Sequence, residues 1–465
     1  MRISRKSFLQ GLLSGTALGI FGGVALGKKV NSNLGKPITN SRPNIIIFVA
    51  DDMRWDTLGI VGNRIIQTPN LDQLAQEGVL FLNHFVTTSI CPTSRATIFT
   101  GQYGRKHKIW EFDTPLNPSQ LESSYFSLLR QAGYYLAFIG KWGLGGDLPT
   151  KSFDNWQGFA GQGEYFTKGS QKHSTQLLTD EALVFLDKYA ETKPFCLSLS
   201  YKAPHAQDGA KEAFQIDPKF AQFYQKITIP ETPTSSPEDF ASLPDFLQGS
   251  EGRIRWKNRF DSEANYQHNV KQYYRLITGI DDSVGQIIKK LKEKNLFDKT
   301  AIIFTSDNGF FIGDRGLSDK WFGYEESIRV PLIMRSPFSE SKQLITAMTL
   351  NVDIMPTILD IAGVKIPESV QGSSLLSLTS GEKETLRDSW FYEHLFKHPK
   401  IPKSQGIRTE NFKYLRYLLE GTTSEALFDL MADPLEVNNL ANVPEYQQQL
   451  QQFRENLAEL SKNLS

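Results

Sequence analysis

The sequence predicts an α/β fold from three observations: apolar, β-branched runs with no polar face, amphipathic helical runs between them, and acidic or polar residues where the apolar runs stop. Asn44-Ile45-Ile46-Ile47-Phe48-Val49-Ala50 is the first such run, and it ends at Asp51-Asp52. A segment apolar on both faces needs cover on both, which a parallel or mixed sheet between helices provides. Phe195-Cys196-Leu197-Ser198-Leu199-Ser200 and Ala301-Ile302-Ile303-Phe304-Thr305 read the same way, the latter stopping at Ser306-Asp307-Asn308-Gly309. Leu71, Leu74 and Ala75 mark one covering helix. Ile277, Ile280, Val284, Ile287, Ile288 and Leu291 mark a longer one with lysines on its opposite face.

The flanking segments are of other kinds. Met1 to Gly27 opens with Arg2, Arg5 and Lys6 and then runs uncharged from Ser7, the pattern of an export signal. Ser4-Arg5-Lys6-Ser7-Phe8-Leu9 resembles a twin-arginine motif with Lys in the second place, and Ala25-Leu26-Gly27 offers small residues for cleavage. The chain is therefore read as exported, periplasmic or at the cell surface; an uncleaved anchor is the alternative, since ~20 apolar residues span a bilayer. Pro230 to Pro244 reads as a surface excursion of the kind that shapes a binding rim. After Leu375 the apolar runs shorten, and Asn411 to Leu419 and Ala426 to Leu430 read as strands of a smaller appended unit. Lysine plus arginine and aspartate plus glutamate both count 51, so no global basic field exists to hold nucleic acid or an anionic membrane. Two cysteines, Cys91 and Cys196, are too few for a disulfide-stapled scaffold, and Cys196 inside an apolar run reads as core.

Ligands of open α/β sheets sit at the carboxyl ends of strands, where this chain places Asp51-Asp52 and Asp307-Asn308. A single strand-end aspartate pair is commonly a turn or cap. Two pairs after two buried strands, with no Cys/His cluster beside them, offer four oxygen donors suited to Ca²⁺ or Mg²⁺ rather than zinc. In Ser89-Ile90-Cys91-Pro92-Thr93-Ser94-Arg95, helical composition begins just after a proline, which puts Cys91 near a helix N-terminus. That end of a helix, with Arg95 nearby, favours an anionic group. On residue type alone Cys91 is either a low-pKa nucleophile or a buried apolar filler.

Taken in order, these segments resemble a type I sulfatase of the alkaline phosphatase-like superfamily. The resemblance spans nearly everything after Pro43. It rests on Asn44 to Asp52, Cys91 to Gly101, Gly140-Lys141-Trp142, Lys202-Ala203-Pro204-His205, Thr305 to Gly309, Tyr324 to Pro331, Gln371 to Leu375 and Leu427-Phe428-Asp429-Leu430. It implies a large mixed β-sheet flanked by helices over residues 44–375, plus a smaller C-terminal domain with a short antiparallel sheet over 376–465. It also implies that a formylglycine-generating maturation enzyme oxidises Cys91 to formylglycine (3-oxoalanine), whose hydrate is the nucleophile. In the same family pattern Ca²⁺, in preference to Mg²⁺, is held by Asp51, Asp52, Asp307 and Asn308 and meets the group made from Cys91. Lys141 and Lys320 clamp sulfate oxygens, Arg95 anchors the hydrate, and His205 protonates the leaving alcohol. The implied substrate is a sulfate ester, with a sulfated carbohydrate expected from export and the proline-rich rim.

Three departures accompany the resemblance. The family's Cys-x-Pro-x-Arg becomes Cys91-Pro92-Thr93-Ser94-Arg95, a histidine assigned to the elimination step is replaced by Gly143, and Arg315 stands where relatives often carry histidine. Loss of a general base typically costs ~10²–10⁴ in rate. His107 by itself reads as structural, and with the base missing either His107 or a substrate-side water is expected to take over. Two alternatives stay open at this point: a phosphonate or phosphate ester hydrolase on the same scaffold, and a catalytically silent sulfoglycan-binding homologue.

Overall fold

The computed structural model describes residues 42–464 apart from 168 and 192; the export pattern of residues 1–27 lies outside the described residues. Eight strands form the main sheet: β1 (Asn44–Asp51), β2 (Val79–Phe81), β3 (Tyr135–Lys141), β4 (Asn155–Phe159), β5 (Phe195–Pro204), β6 (Thr300–Ser306), β7 (Leu332–Arg335) and β8 (Gln343–Ile345). Their order is β8-β2-β7-β6-β1-β5-β3-β4. β6, β1, β5, β3 and β4 are mutually parallel, whereas β7 runs antiparallel to β6 and β2, so the sheet is mixed.

The helices that matter for the site and its support are α1 (Pro69–Gln76), α2 (Cys91–Thr100), α3 (Tyr125–Gln131), α4 (Ser174–Tyr189), α5 (Glu263–Glu293) and α6 (Ile354–Ile361). Along β1, Ile46 and Phe48 join one core with Leu71, Leu74, Ile277 and Ile280 from α1 and α5. Ile45, Ile47 and Val49 join another with Ile98, Phe126, Leu129 and Ile358 from α2, α3 and α6. Alternate residues of one apolar run thus serve two cores, which is why the run shows no polar face. Cys196 belongs to the second core, as its sequence context implies.

A second sheet carries β9 (Ser389–His394), β10 (Lys403–Thr409), β11 (Phe412–Leu419) and β12 (Thr422–Asp429), all antiparallel and in sequence order, with α7 (Gln447–Asn463) beyond them. Sequence reading located only the last two strands. β10, Lys403-Ser404-Gln405-Gly406-Ile407-Arg408-Thr409, is too polar to register as an apolar run. Leu450, Phe453 and Leu457 of α7 pack with Tyr414 and Leu415, and the same core takes in Ile90, Trp321 and Phe322 from loops of the main sheet. The small sheet therefore braces the residue just before Cys91 and those just after Lys320.

Candidate active site

Parallel packing brings the carboxyl ends of β1, β3, β5 and β6 to one edge, and with them Asp51-Asp52, Lys141, His205 and Asp307-Asn308. Only glycine fits at residue 140, which has φ 103° and would place a Cβ 1.9 Å from the Ser200 carbonyl oxygen. Cys91 is the first residue of α2, after Ile90 in extended conformation, as the proline spacing predicts. The backbone is left-handed at Asp52 (φ 67°), and at Asp319 and Trp321 (φ 69° and 83°) on either side of Lys320. Such conformations persist where surrounding contacts hold them, characteristically at functional sites.

All nine site residues expected from sequence converge and are buried. Cys91 Sγ lies 3.3 Å from Asp51 Oδ1, 3.3 Å from Lys320 Nζ and 3.5 Å from Asn308 Nδ2. Lys320 Nζ donates to both oxygens of Asp52 at 2.6 Å. Lys141 Nζ pairs with Asp51 Oδ2 and donates to Gln162 Oε1 at 2.6 Å. Arg95 donates through Nε to Asp307 Oδ2 at 2.8 Å and through Nη1 to the Lys141 carbonyl at 2.9 Å and to Ser200 Oγ; its Nη2 has no hydrogen-bond partner among the described residues and lies 3.8 Å from Asp51. His205 Nε2 stands 3.5 Å from Asp52 Oδ2, and its Nδ1 is 2.5 Å from the Ala206 carbonyl. That carbonyl can only accept, so Nδ1 carries a proton and Nε2 is the nitrogen free to give or take one.

The electrostatics follow from crowding three carboxylates out of water. Burial works to raise Asp51, but Lys141, His205 and Arg95 outweigh it and hold this acid well below its usual range. Asp52 is pushed up to about 8 by burial, against the pull of Lys320 and with repulsion from Asp51 and Asp307. Burial and Asp51 drive the Cys91 thiol upward, so the unmodified residue is neither the low-pKa thiolate nor the apolar filler that its type suggested. Burial and Lys320 hold the His205 imidazole well below its ordinary value.

The donor set fits a hard divalent cation. Asn308 Nδ2 donates to Asp307 Oδ1, Asp52 and Cys91, whereas its Oδ1 is buried without a partner among the described residues. An orphaned amide oxygen beside three carboxylates is the inventory a calcium-type site needs.

The departures acquire physical explanations. A Cβ at Gly143, where φ is 79°, would sit 2.6 Å from Arg95 Cδ, so the arginine occupies the space a side chain there would take. His107 does not reach the cluster. It is buried with Nδ1 accepting the Ile109 N–H and Nε2 beside Thr97 Oγ1 at 3.1 Å, and Thr97 lies six residues, ~9 Å, along α2 from Cys91. The expectation that His107 replaces the missing base is thereby corrected. Arg315 donates to the Leu435 and Glu436 carbonyls, which is a bracing role.

Residue-type reasoning missed Gln162, Tyr165, Lys202 and Tyr392. The Tyr165 hydroxyl donates to the His205 carbonyl at 2.6 Å; the Tyr392 hydroxyl donates to the Trp321 carbonyl at 2.8 Å and lies 2.9 Å from Ser89 Oγ. The one legible signal was Lys202, a charged residue inside a strand that is buried along its whole length.

Comparison with known proteins bears directly on this site. A family model described as Sulfatase matches residues 43–364, and one described as N-sulphoglucosamine sulphohydrolase, C-terminal, matches residues 313–463. An N-acetylglucosamine-6-O-sulfatase of Bacteroides thetaiotaomicron is 28% identical, with 90% of this chain and 86% of the relative covered. An arylsulfatase of Clostridium perfringens is 28% identical over 89% of this chain and 93% of its own length. Among solved structures, a complex with the substrate D-glucosamine-2-N,6-O-disulfate superposes with TM-score 0.82 at 27% identity, covering 91% of this chain and 98% of the other. A phosphonate monoester hydrolase of Agrobacterium radiobacter shares the fold, with TM-score 0.78 at 23% identity over 91% and 96% of the two chains.

Proposed function

Since the chain belongs to the sulfatase family, an enzyme family with the alkaline phosphatase-like fold, we propose that it releases inorganic sulfate from a sulfated carbohydrate, with a formylglycine derived from Cys91 as its reactive group. The observation that carries this reading is the convergence of Cys91, at the head of a helix, with three buried carboxylates, Asn308, three cations and His205 on one sheet edge. The names of the relatives, with a glucosamine sulfate ester among their substrates, support the carbohydrate class.

In this reading Asp51, Asp52, Asp307 and Asn308 would hold Ca²⁺, which supplies positive charge opposite the sulfate group. The aldehyde hydrate made from Cys91 by a formylglycine-generating maturation enzyme supplies a hydroxyl nucleophile. The chain's own residues do the rest. Lys141 and Lys320 bind anionic sulfate oxygens, and their ammoniums balance the charge that builds as the ester S–O bond breaks. Lys320, already in contact with Cys91 Sγ and Asp52, aligns the reactive group with the sulfate. Arg95 is fixed by Asp307, Ser200 and the Lys141 carbonyl, so its free Nη2 is held over the same centre. His205, its Nδ1–H held by the Ala206 carbonyl, turns Nε2 toward the substrate, where it takes up the proton released as the hydroxyl nucleophile attacks and gives it to the departing alcohol oxygen.

Sulfate release from a panel of sulfated glycans and from an aryl sulfate, run beside an aryl phosphonate, tests the reaction class. Turnover of the phosphonate in preference to every sulfate overturns the reading. Mass spectrometry of the Cys91 peptide from active native protein tests the modification, and an unaltered thiol there rejects it. Export on the pattern of residues 1–27, and a division into residues 44–375 and 376–465, belong to the same proposal; the mass of the mature N-terminus checks the first, and limited proteolysis the second.

A further inference from the structure

We propose that Lys202 is a substrate-binding cation that meets an anionic sulfate oxygen of the ester. The proposal deepens the sulfatase reading and rests on it. Lys202 lies near the carboxyl end of β5, three residues before His205, and is 1% exposed. Every other buried cation at this edge has a carboxylate partner: Arg95 has Asp307, Lys141 has Asp51 and Lys320 has Asp52. Lys202 forms no ion pair among the described residues. One of its three N–H donors goes to the Gln162 carbonyl at 3.1 Å, and its Nζ stands 5.0 Å from the centre of the Tyr165 ring.

A lysine taken out of water without a counter-charge destabilises a fold, so its retention calls for an anion that arrives later. Burial and the Lys141 charge push its amine down to about 8, the direction expected of a cation lacking its partner. The surroundings suit such a role because they hold the ammonium with neutral groups, a carbonyl oxygen and an aromatic face. Gln162 makes the link to the reaction. Its side-chain oxygen accepts from Lys141 and its main-chain oxygen from Lys202, so one half-buried residue holds two ammoniums side by side and cancels neither charge. An ester bearing sulfate would complete both.

The test uses the full-length protein with Lys202→Met, which keeps length and apolar stem, and Lys202→Arg, which keeps charge. Binding of inorganic sulfate is read by titration calorimetry. Turnover is read on an aryl sulfate and on glucosamine 2-N,6-O-disulfate, and the melting temperature on both variants. Lys202→Met is expected to weaken sulfate binding or raise KM about tenfold, with a melting temperature equal to or above wild type and partial recovery in Lys202→Arg. A defect on every probe assigns Lys202 to the transferred sulfate. A defect on the disulfated sugar alone assigns it to a second sulfate. A lowered melting temperature with unchanged binding and KM, or no difference at all, overturns the proposal. Wild-type protein that binds sulfate yet releases none rejects the sulfatase reading instead, and the calorimetric arm still decides on Lys202.

Discussion

Two buried charge clusters in this molecule differ in how they close. At the junction between the sheets, Glu325 meets Lys413 at 2.9 Å and Arg408 at 3.3 Å, Lys413 meets Glu436 at 2.7 Å, and the Glu325 N–H donates to Glu436 at 2.8 Å. Burial works to raise Glu325, yet Arg408 and Lys413 prevail and hold it well below its ordinary value. At the strand ends the same kinds of residue leave Asp52 pushed up to about 8 and, among the described residues, Asn308 Oδ1 and Arg95 Nη2 without a hydrogen bond and Lys202 without a carboxylate. At the junction Glu325, Arg408, Lys413 and Glu436 each have an opposite charge within 3.3 Å, although Lys413 Nζ and Glu436 Oε1 make no hydrogen bond among the described residues, whereas Lys202 at the strand ends has no opposite charge in contact with it. A buried ion cluster is therefore not in itself a functional signal; a buried cation with no carboxylate beside it is the stronger one.

The contrast can be broken most directly at its two centres. Cys91→Ala is expected to reduce sulfate release by ~10³-fold or more while the melting temperature stays near that of wild type, because the nucleophile goes and the packing of α2 does not. Glu325→Ala is expected to do the reverse. Removing the acid leaves Arg408 in the interior without a carboxylate and Lys413 with Glu436 alone, and costs ~3–5 kcal/mol of stability, read as a large fall in melting temperature, with turnover per folded molecule near wild type. If the alanine at residue 91 unfolds the protein, or the one at 325 abolishes turnover without destabilising, the two clusters are not different in kind.

Gly143→His sharpens the comparison within the strand-end cluster. It restores the residue type that the family resemblance leads one to expect, into a site where φ is 79° and Arg95 Cδ lies 2.6 Å from the new Cβ. Strain of this kind is worth ~1–3 kcal/mol and is relieved by displacing Arg95 from Asp307, so turnover is expected to fall ~10–10²-fold. An increase in turnover would mean that Arg95 is not held as described and that a base was missing at this position.

Much of this arrangement was legible in the sequence. The apolar runs of β1, β5 and β6 announced strands buried on two faces, and their acidic ends announced a strand-edge site, because burial and ligand placement both follow from topology. β3 was legible only through Gly140-Lys141-Trp142, and β9 and β10 were not legible, since the apolar run of β9 is only Trp390-Phe391-Tyr392, β10 is polar apart from Gly406 and Ile407, and their cover comes from distant loops. Cys91, Arg95 and Lys320 needed the family resemblance. No local spacing says that a cysteine, an arginine four residues on and a lysine far down the chain will share one pocket. Gln162 escaped even that, and Lys202, though it stands in a segment that carries the resemblance, was given no role by it, because their meaning lies in a single half-buried glutamine joining two strand-end lysines.

The smallest effect is expected at an acid with no cation beside it among the described residues. Asp281 of α5 accepts the Leu71 N–H at 2.8 Å through Oδ1 and the Asn70 amide at 2.8 Å through Oδ2, which docks α1 on α5 behind the sheet. Burial lifts it from its ordinary 3.8 to about 7, against those hydrogen bonds. The folded state then holds the proton more tightly than the unfolded chain does. Its contribution to stability is complete below pH 4 and is lost as pH rises through 7. Asparagine keeps an acceptor for Leu71 and carries no charge at any of these pH values, so Asp281→Asn is expected to flatten the pH dependence. It should be ~1 kcal/mol more stable than wild type at pH 8, where relief of the buried charge outweighs the weaker hydrogen bonds, with turnover unchanged. Urea unfolding at pH 5 and pH 8 measures this; parallel pH slopes for the two proteins would show that hydrogen bonds alone satisfy a buried carboxylate as well as the arginine and lysine do at Glu325.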